Sequence, residues 1–231
     1  MEGLIDVNPA DVKSFWIIGA GRFGGIAAKR LAARYTRSSL LVVDISDVAL
    51  RRLSGLPVKT VQGDGVDFLA GCLTGKDIPS YIVPAVPVHL AFEWLKRKLW
   101  QDFEVIRVFV PERAASILPN PTRAEADKLY SSYANFLCPD DCPEPPAVCT
   151  VTGEKRQGFL YRDLQDLRVE GFVSIGLRSV QLAPGVGGYK PVDLWSALEK
   201  VRQAGTEKGF LLSTACLCHG VVNAFRLANR A

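Results

Sequence analysis

Several things are scarce in this chain of 231 residues, and each scarcity removes a class of function. No stretch supplies the ~20 apolar residues that a membrane span requires. The longest uncharged runs, 79–92 and 209–225, are broken by Pro84 and Pro87 in one and by Ser213, Thr214, His219 and Gly220 in the other. The start, Met1-Glu2-Gly3-Leu4-Ile5-Asp6, carries acids and no long apolar core, so it does not read as a signal peptide. Charge of one sign is never concentrated. The 28 Lys and Arg against 24 Asp and Glu give +4, and no basic run exceeds Lys96-Arg97-Lys98, which gives no ground for a nucleic-acid partner. Histidine is nearly absent, with only His89 and His219. There is no Ser-His-Asp arrangement, no Walker-type GKS or GKT and no carboxylate pair at helical spacing, so a hydrolase is not indicated. No internal repeat or low-complexity tract occurs. These absences lead us to expect a cytoplasmic globular protein without direct membrane insertion.

What is present begins with Ser14–Leu31. The apolar run Phe15-Trp16-Ile17-Ile18 leads into Gly19-Ala20-Gly21-Arg22-Phe23-Gly24, and a helical pattern through Ile26, Ala27, Arg30 and Leu31 follows. A strand must therefore turn sharply into a helix at the glycines. Gly19 permits the tight turn, Gly21 lets a pyrophosphate approach the backbone, and Gly24 lets the helix pack close to its strand. The helix start offers unpaired N–H groups and a positive dipole end to phosphates. A second apolar strand, Leu40-Leu41-Val42-Val43, ends in Asp44, twenty residues beyond Gly24. A carboxylate there can accept from adenosine ribose hydroxyls and repels a 2′-phosphate, favouring NAD over NADP. After a short helix capped by Ser46 or Asp47, Val58-Lys59-Thr60-Val61 alternates as a third strand and stops at Gly63-Asp64-Gly65. Asp64 is expected to line the adenine side or to hold that turn.

The segments GAGRFG, VVDIS and VQGDGVDFL resemble the NAD-binding module of potassium-uptake regulators, the KTN or RCK N-terminal (TrkA-N-like) domain, over about residues 14 to 70. The resemblance implies a Rossmann-type fold, NAD as cofactor and a ribose-binding acid at Asp44. It also implies a regulatory role towards a protein partner or membrane transporter in potassium transport, and a homo-oligomer, because such modules generally pair. The candidate cofactor-binding set is Gly19, Gly21, Arg22, Phe23, Gly24, Asp44 and Asp64.

Further along, Ser80-Tyr81-Ile82-Val83 reads as a fourth strand and Ala91, Trp94, Leu95 and Leu99 as one face of a helix. The intervening Pro84–His89 is expected at the crevice where the strand order reverses, which makes His89 a candidate general acid or base. Val105–Val110 reads as a fifth strand. Residues 119–158 are rich in Pro and Cys and read as an insertion, with a short amphipathic stretch near Ala124–Phe136. Ser179–Leu182 as a strand, a glycine turn at 185–188, a helix over Val192–Gln203, a strand over Phe210–Thr214 and a short terminal helix complete the alternation. The expected architecture is α/β: one domain over 1–231, built on a doubly wound, mostly parallel sheet with 119–158 inserted.

Six cysteines are present. Cys138, Cys142 and Cys149 lie within twelve residues, in a segment stiffened by Pro139, Pro143, Pro145 and Pro146, and can converge on one ion. Cys216, Cys218 and His219 are candidates for a fourth ligand. The block Cys138, Cys142, Cys149 and Cys218 suits zinc or a 4Fe-4S cluster, while free thiols and a disulfide or redox pair stay open as alternatives. Cys72, alone on a helix-like stretch, reads as a buried hydrophobe. Gly185–Gly188 reads as a tight turn or an anion cradle. Together these features point to an NAD(H)-binding redox-sensing or regulatory subunit with a cysteine-ligated metal. The alternative is an NAD-dependent oxidoreductase acting on a small acidic substrate.

Overall fold

A computed structural model of the chain describes residues 7–74 and 78–230. In order, the elements are β1 (Ser14–Ile18), α1 (Arg22–Arg34), β2 (Ser39–Asp44), α2 (Asp47–Arg51), β3 (Lys59–Gln62), α3 (Gly65–Cys72), β4 (Tyr81–Pro84), α4 (Leu90–Leu99), β5 (Phe103–Arg107) and α5 (Glu112–Ile117). There follow β6 (Thr122–Glu125), β7 (Lys128–Ser132), α6 (Leu160–Gln165), β8 (Phe172–Arg178), β9 (Val180–Ala183), β10 (Val186–Gly188), α7 (Pro191–Ala204), β11 (Gly209–Ala215) and β12 (His219–Asn229). Among the described residues no helix is long and apolar enough to cross a membrane.

The protein is mixed α/β, but the single sheet expected over 1–231 is replaced by separate sheets in two compact units. The first unit takes residues 1–90, 139–154 and 180–191. Its four-stranded sheet has the order β3-β2-β1-β4, and every pairing is parallel. A parallel sheet needs a crossover between strands, and the helices after β1, β2 and β3 supply it. Phe15, Ile17, Val42 and Val83 are buried with Ala27, Ala28 and Leu31 of α1. A late hairpin, β9 and β10, joins this core through Leu182, Ala183 and Val186. It reaches the β4 edge through paired bonds between Ile82 and Tyr189, 2.9 and 3.0 Å, and Tyr35 Oη donates to Leu182 O at 2.8 Å.

The second unit takes residues 91–138, 155–179 and 192–231. Its sheet runs β6-β7-β12-β11-β8. β12 is its central strand, antiparallel to β11 along one side, while β7 and then β5 share the other. β8 lies parallel to β11. The short terminal helix expected after Cys218 is therefore a long strand. Its interior, from Val222 to Phe225, is buried on both faces, so it lacks the alternation that marks a half-exposed strand and is not separable from a helix by pattern. Val105–Val110 likewise contributes to the second sheet, not to the first. The 119–158 stretch is no single insertion: its first part forms the β6–β7 hairpin, and 139–154 belongs to the first unit.

Candidate functional site

The four parallel strands of the first unit all end on one rim, because parallel pairing aligns their carboxyl ends. There Gly19 N donates to Val43 O at 2.8 Å and Ala85 N to Ile18 O at 2.7 Å, which ties the glycine turn between β2 and β4. Gly19 has φ +107°, and a Cβ on it would strike the Ala85 carbonyl; a Cβ on Gly24 would strike the Gly19 carbonyl. Both positions therefore require glycine. Gly21 is different. A Cβ there meets no heavy atom within 4 Å, so open space lies above it at the start of α1.

Three helices begin on this rim, and their starts differ. Ser46 caps α2 by accepting from Ala49 N at 3.2 Å, and Asp64 caps α3 by accepting from Val66 N and Asp67 N at 2.9 Å each. Gly21 is the N-cap of α1 and has no side chain with which to do this. Helix starts leave their first N–H groups without intrahelical partners. Asp64 thus holds its own turn. Asp44 stands beside the glycine turn: Oδ2 accepts from Ala20 N at 2.5 Å and Oδ1 from Ser46 N at 2.7 Å. An ionised carboxylate has about four acceptor positions, so each oxygen keeps capacity after these bonds.

Arg22 and Phe23 stand exposed at the helix start, with the Arg22 guanidinium 5.5 Å from the Phe23 ring centroid. Arg22 pairs with the Asp140 carboxylate. Arg30 Nη1 anchors the same segment through Asp140 O at 2.8 Å and Pro184 O at 2.7 Å. Ile45, directly after Asp44, and Val48, in the first turn of α2, are exposed apolar side chains at 73% and 55%. His89, expected to face the crevice, is buried, at 7% exposure, in the residue before α4. Gly185–Gly188 is not an anion cradle: Gly185 N is taken by Cys142 O at 3.0 Å and the next three residues pair with β9.

Cys138, Cys142, Cys149 and Cys218 are the metal set expected from the sequence. Among the described residues no group of three or more His, Cys, Asp or Glu is placed to hold a metal ion. Cys142 and Cys149 belong to the first unit and Cys138 and Cys218 to the second. Residues 139–142 are held within the first unit by Arg22, Arg30, Gln181 and the Gly185 amide. Cys72 is exposed on α3, not buried.

In the second unit, the turn between β11 and β12 is built from Cys216-Leu217-Cys218-His219. Cys216 N donates to His219 O at 2.9 Å; Tyr161 N, Leu160 N and Tyr133 N donate to the carbonyls of Cys216, Leu217 and Cys218 at 3.2, 3.0 and 2.9 Å. Cys216 Sγ accepts from Cys218 N and His219 N at 3.4 Å each, and Cys218 Sγ accepts from Arg156. Desolvation by burial first, then the Arg156 charge, pushes the His219 imidazole below its ordinary pKa. Nearby, Tyr133 Oη donates to Asp163 Oδ2 at 2.6 Å; burial first, then this bond and its negative charge, raise the phenol to about 12.

Residues 91–228 match a family model described as "Uncharacterized protein, C-terminal domain". The chain belongs to this family. It is also similar to a protein of Archaeoglobus fulgidus described as "Uncharacterized protein", 27% identical over 225 residues that cover 92% of this chain and 99% of the relative. That similarity runs through both units, whereas the family's region starts where the second unit starts.

Sequence reasoning brought Gly19, Gly21, Arg22, Phe23, Gly24 and Asp44 to one rim and missed Asp140, Arg30 and Arg156. Each of these three acts on residues more than sixty positions away, and no spacing rule could find them. Ile45 had a local signal: an apolar residue placed directly after the acid, in a turn.

Proposed function

We propose that the first unit is a Rossmann-type domain binding NAD(H), and that the chain is a redox-sensing or regulatory protein acting on a protein partner, as its resemblance to the potassium-uptake regulators implies. The observation that carries this reading is the uncapped start of α1 beneath open space at Gly21, with Asp44 directed at the same turn. Backbone N–H groups at 22 and 23 donate to diphosphate oxygens, and the helix dipole favours their charge. Asp44 uses its remaining acceptor positions for ribose hydroxyls and repels a 2′-phosphate. Ile45 and Val48 offer apolar surface to an adenine ring. Arg22 supplies a cation to the phosphates once it leaves Asp140. The nicotinamide, when bound, supplies two-electron chemistry, and the chain's residues orient the dinucleotide.

Calorimetric titration of the full chain with NADH, NAD+ and NADPH tests this. NADH or NAD+ should bind and raise the melting temperature, NADPH should bind at least about tenfold more weakly, and Asp44→Ala should erase that preference. Failure of both NADH and NAD+ to bind or to shift melting overturns the reading.

A further inference from the structure

We propose that residues 139–142 form a strap that the dinucleotide loosens: the Asp140 carboxylate holds Arg22 in the place of a phosphate, and a bound diphosphate displaces it. This inference rests on the nucleotide reading of the glycine turn and adds how occupancy of that turn is passed to another segment of the chain.

Two kinds of contact hold the strap, and they differ in strength. The first kind is made to its backbone. Arg30 Nη1, about two turns along α1 from Arg22, donates to Asp140 O at 2.8 Å and to Pro184 O at 2.7 Å, so one guanidinium clamps the strap to the turn between β9 and β10. Cys142 O accepts from Gly185 N at 3.0 Å and from Gln181 Nε2 at 2.6 Å. Gly185 has φ +65°, and a Cβ there would strike the Asp140 carbonyl, so the strap lies directly on that glycine. The second kind is made by a side chain. The Asp140 carboxylate pairs with Arg22, the first residue of α1, beside Gly21. These two side chains are 38% and 72% exposed, and an ion pair this open to water is weak.

The backbone bonds therefore place the carboxylate, and the ion pair only fills the cation. A carboxylate tethered beside Arg22 has a high local concentration there, which lets a weak pair form. A diphosphate on the amides of 22 and 23 reverses the field around it. Arg22 turns to the phosphate oxygens, and Asp140 is left facing charge of its own sign. That repulsion works against the bonds from Arg30, Gln181 and Gly185. Docking of the strap and binding of the nucleotide thus oppose each other, and linkage requires each to weaken the other by the same factor. For a pair this exposed the factor is about two- to fivefold. Residues 138 and 155, on either side of 139–154, belong to the second unit, so the loosened stretch is part of the chain that joins the units.

Hydrogen exchange read by peptide mass on the full chain, with and without saturating NADH, tests this, with calorimetry for the affinities. NADH should slow exchange in the glycine-turn peptide and speed it about two- to fivefold in 139–142 and at Gly185, whose N–H is the donor to Cys142 O. Asp140→Asn should bind NADH about two- to fivefold more tightly and should exchange fast in 139–142 whether or not NADH is present. Arg30→Met changes a residue outside the glycine turn and should tighten binding in the same way, because the carboxylate is no longer delivered to Arg22. Asp141→Asn removes the same charge from the neighbouring residue and should behave as the wild type. If Arg30→Met fails to fold, the Asp140→Asn and Asp141→Asn pair decides. Protection of the glycine turn by NADH with 139–142 and Gly185 unchanged, or an Asp141→Asn chain that gains as much affinity as Asp140→Asn, overturns the strap and leaves the nucleotide reading standing. Absence of both binding heat and turn protection with NADH and with NAD+ overturns the two together.

Discussion

The glycine turn after β1 and the cysteine turn after β11 are both tight reversals at the end of a buried strand, and they use their polar groups in opposite ways. In the first, Gly21 caps α1 without a side chain, and the helix start lies under open space. In the second, the carbonyls accept bonds from Leu160, Tyr161 and Tyr133 and two amides point at a sulfur. One turn leaves the first amides of its helix without a side-chain cap; the other directs two of its amides at a sulfur. The difference teaches that backbone N–H groups at a turn can be left open or be satisfied within the turn by a side chain.

The comparison breaks most readily at Gly19. Valine there meets the Ala85 carbonyl in a backbone conformation that side chains avoid, so Gly19→Val should destabilise the first unit by about 2–4 kcal/mol and abolish dinucleotide binding, measured by denaturant melts and calorimetry. On the other side, Leu160 is fully buried and its N–H holds the Leu217 carbonyl. Leu160→Ala should cost about 2–4 kcal/mol, leave nucleotide affinity unchanged and speed alkylation of Cys218, read by iodoacetamide labelling.

Asp44→Ala should have a smaller effect on folding, about 1–2 kcal/mol from the lost bonds to Ala20 N and Ser46 N, measured by chemical denaturation. Asp140→Asn removes the carboxylate that holds Arg22 and should tighten dinucleotide binding by only about two- to fivefold, because exposed ion pairs are weak. The gain should shrink as salt rises in the same titration.

The smallest effect concerns pH and the neighbourhood of the cysteine turn. Tyr133 titrates at about 12 when folded against 10.0 ordinarily, so the unfolded chain loses this proton first. Its contribution to stability is complete below about pH 10 and declines as pH rises towards 12. Tyr133→Phe should flatten that part of the stability profile, seen as a melting temperature that falls less steeply with alkali than in the wild type.

Legibility followed the range of the interaction. β1, the glycine turn, α1, β2 and β3 were readable because each rests on residues within a few positions: an apolar run, a glycine for φ +107°, an acid at a strand end. β12 was not, since a strand buried on both faces shows no period. Nor was the division into units, because 139–154 joins the first unit through Arg22 and Arg30, whose reach across more than a hundred positions leaves no mark in local pattern. The cysteine spacing within 138–149 suggested a metal site, whereas the bonds that hold the Cys142 carbonyl, from Gln181 and Gly185, left no mark in that spacing.

By itself, then, the amino-acid order determined where the chain must bend at Gly19, where an acid ends β2, and which segments alternate between strand and helix, since these depend on sterics and periodicity along a few bonds. The tertiary structure alone decided which sheet each late strand enters, which anion occupies Arg22 and which cation faces Cys218. Those outcomes are pairings between distant groups, and they exist only once burial has brought the groups within hydrogen-bonding distance.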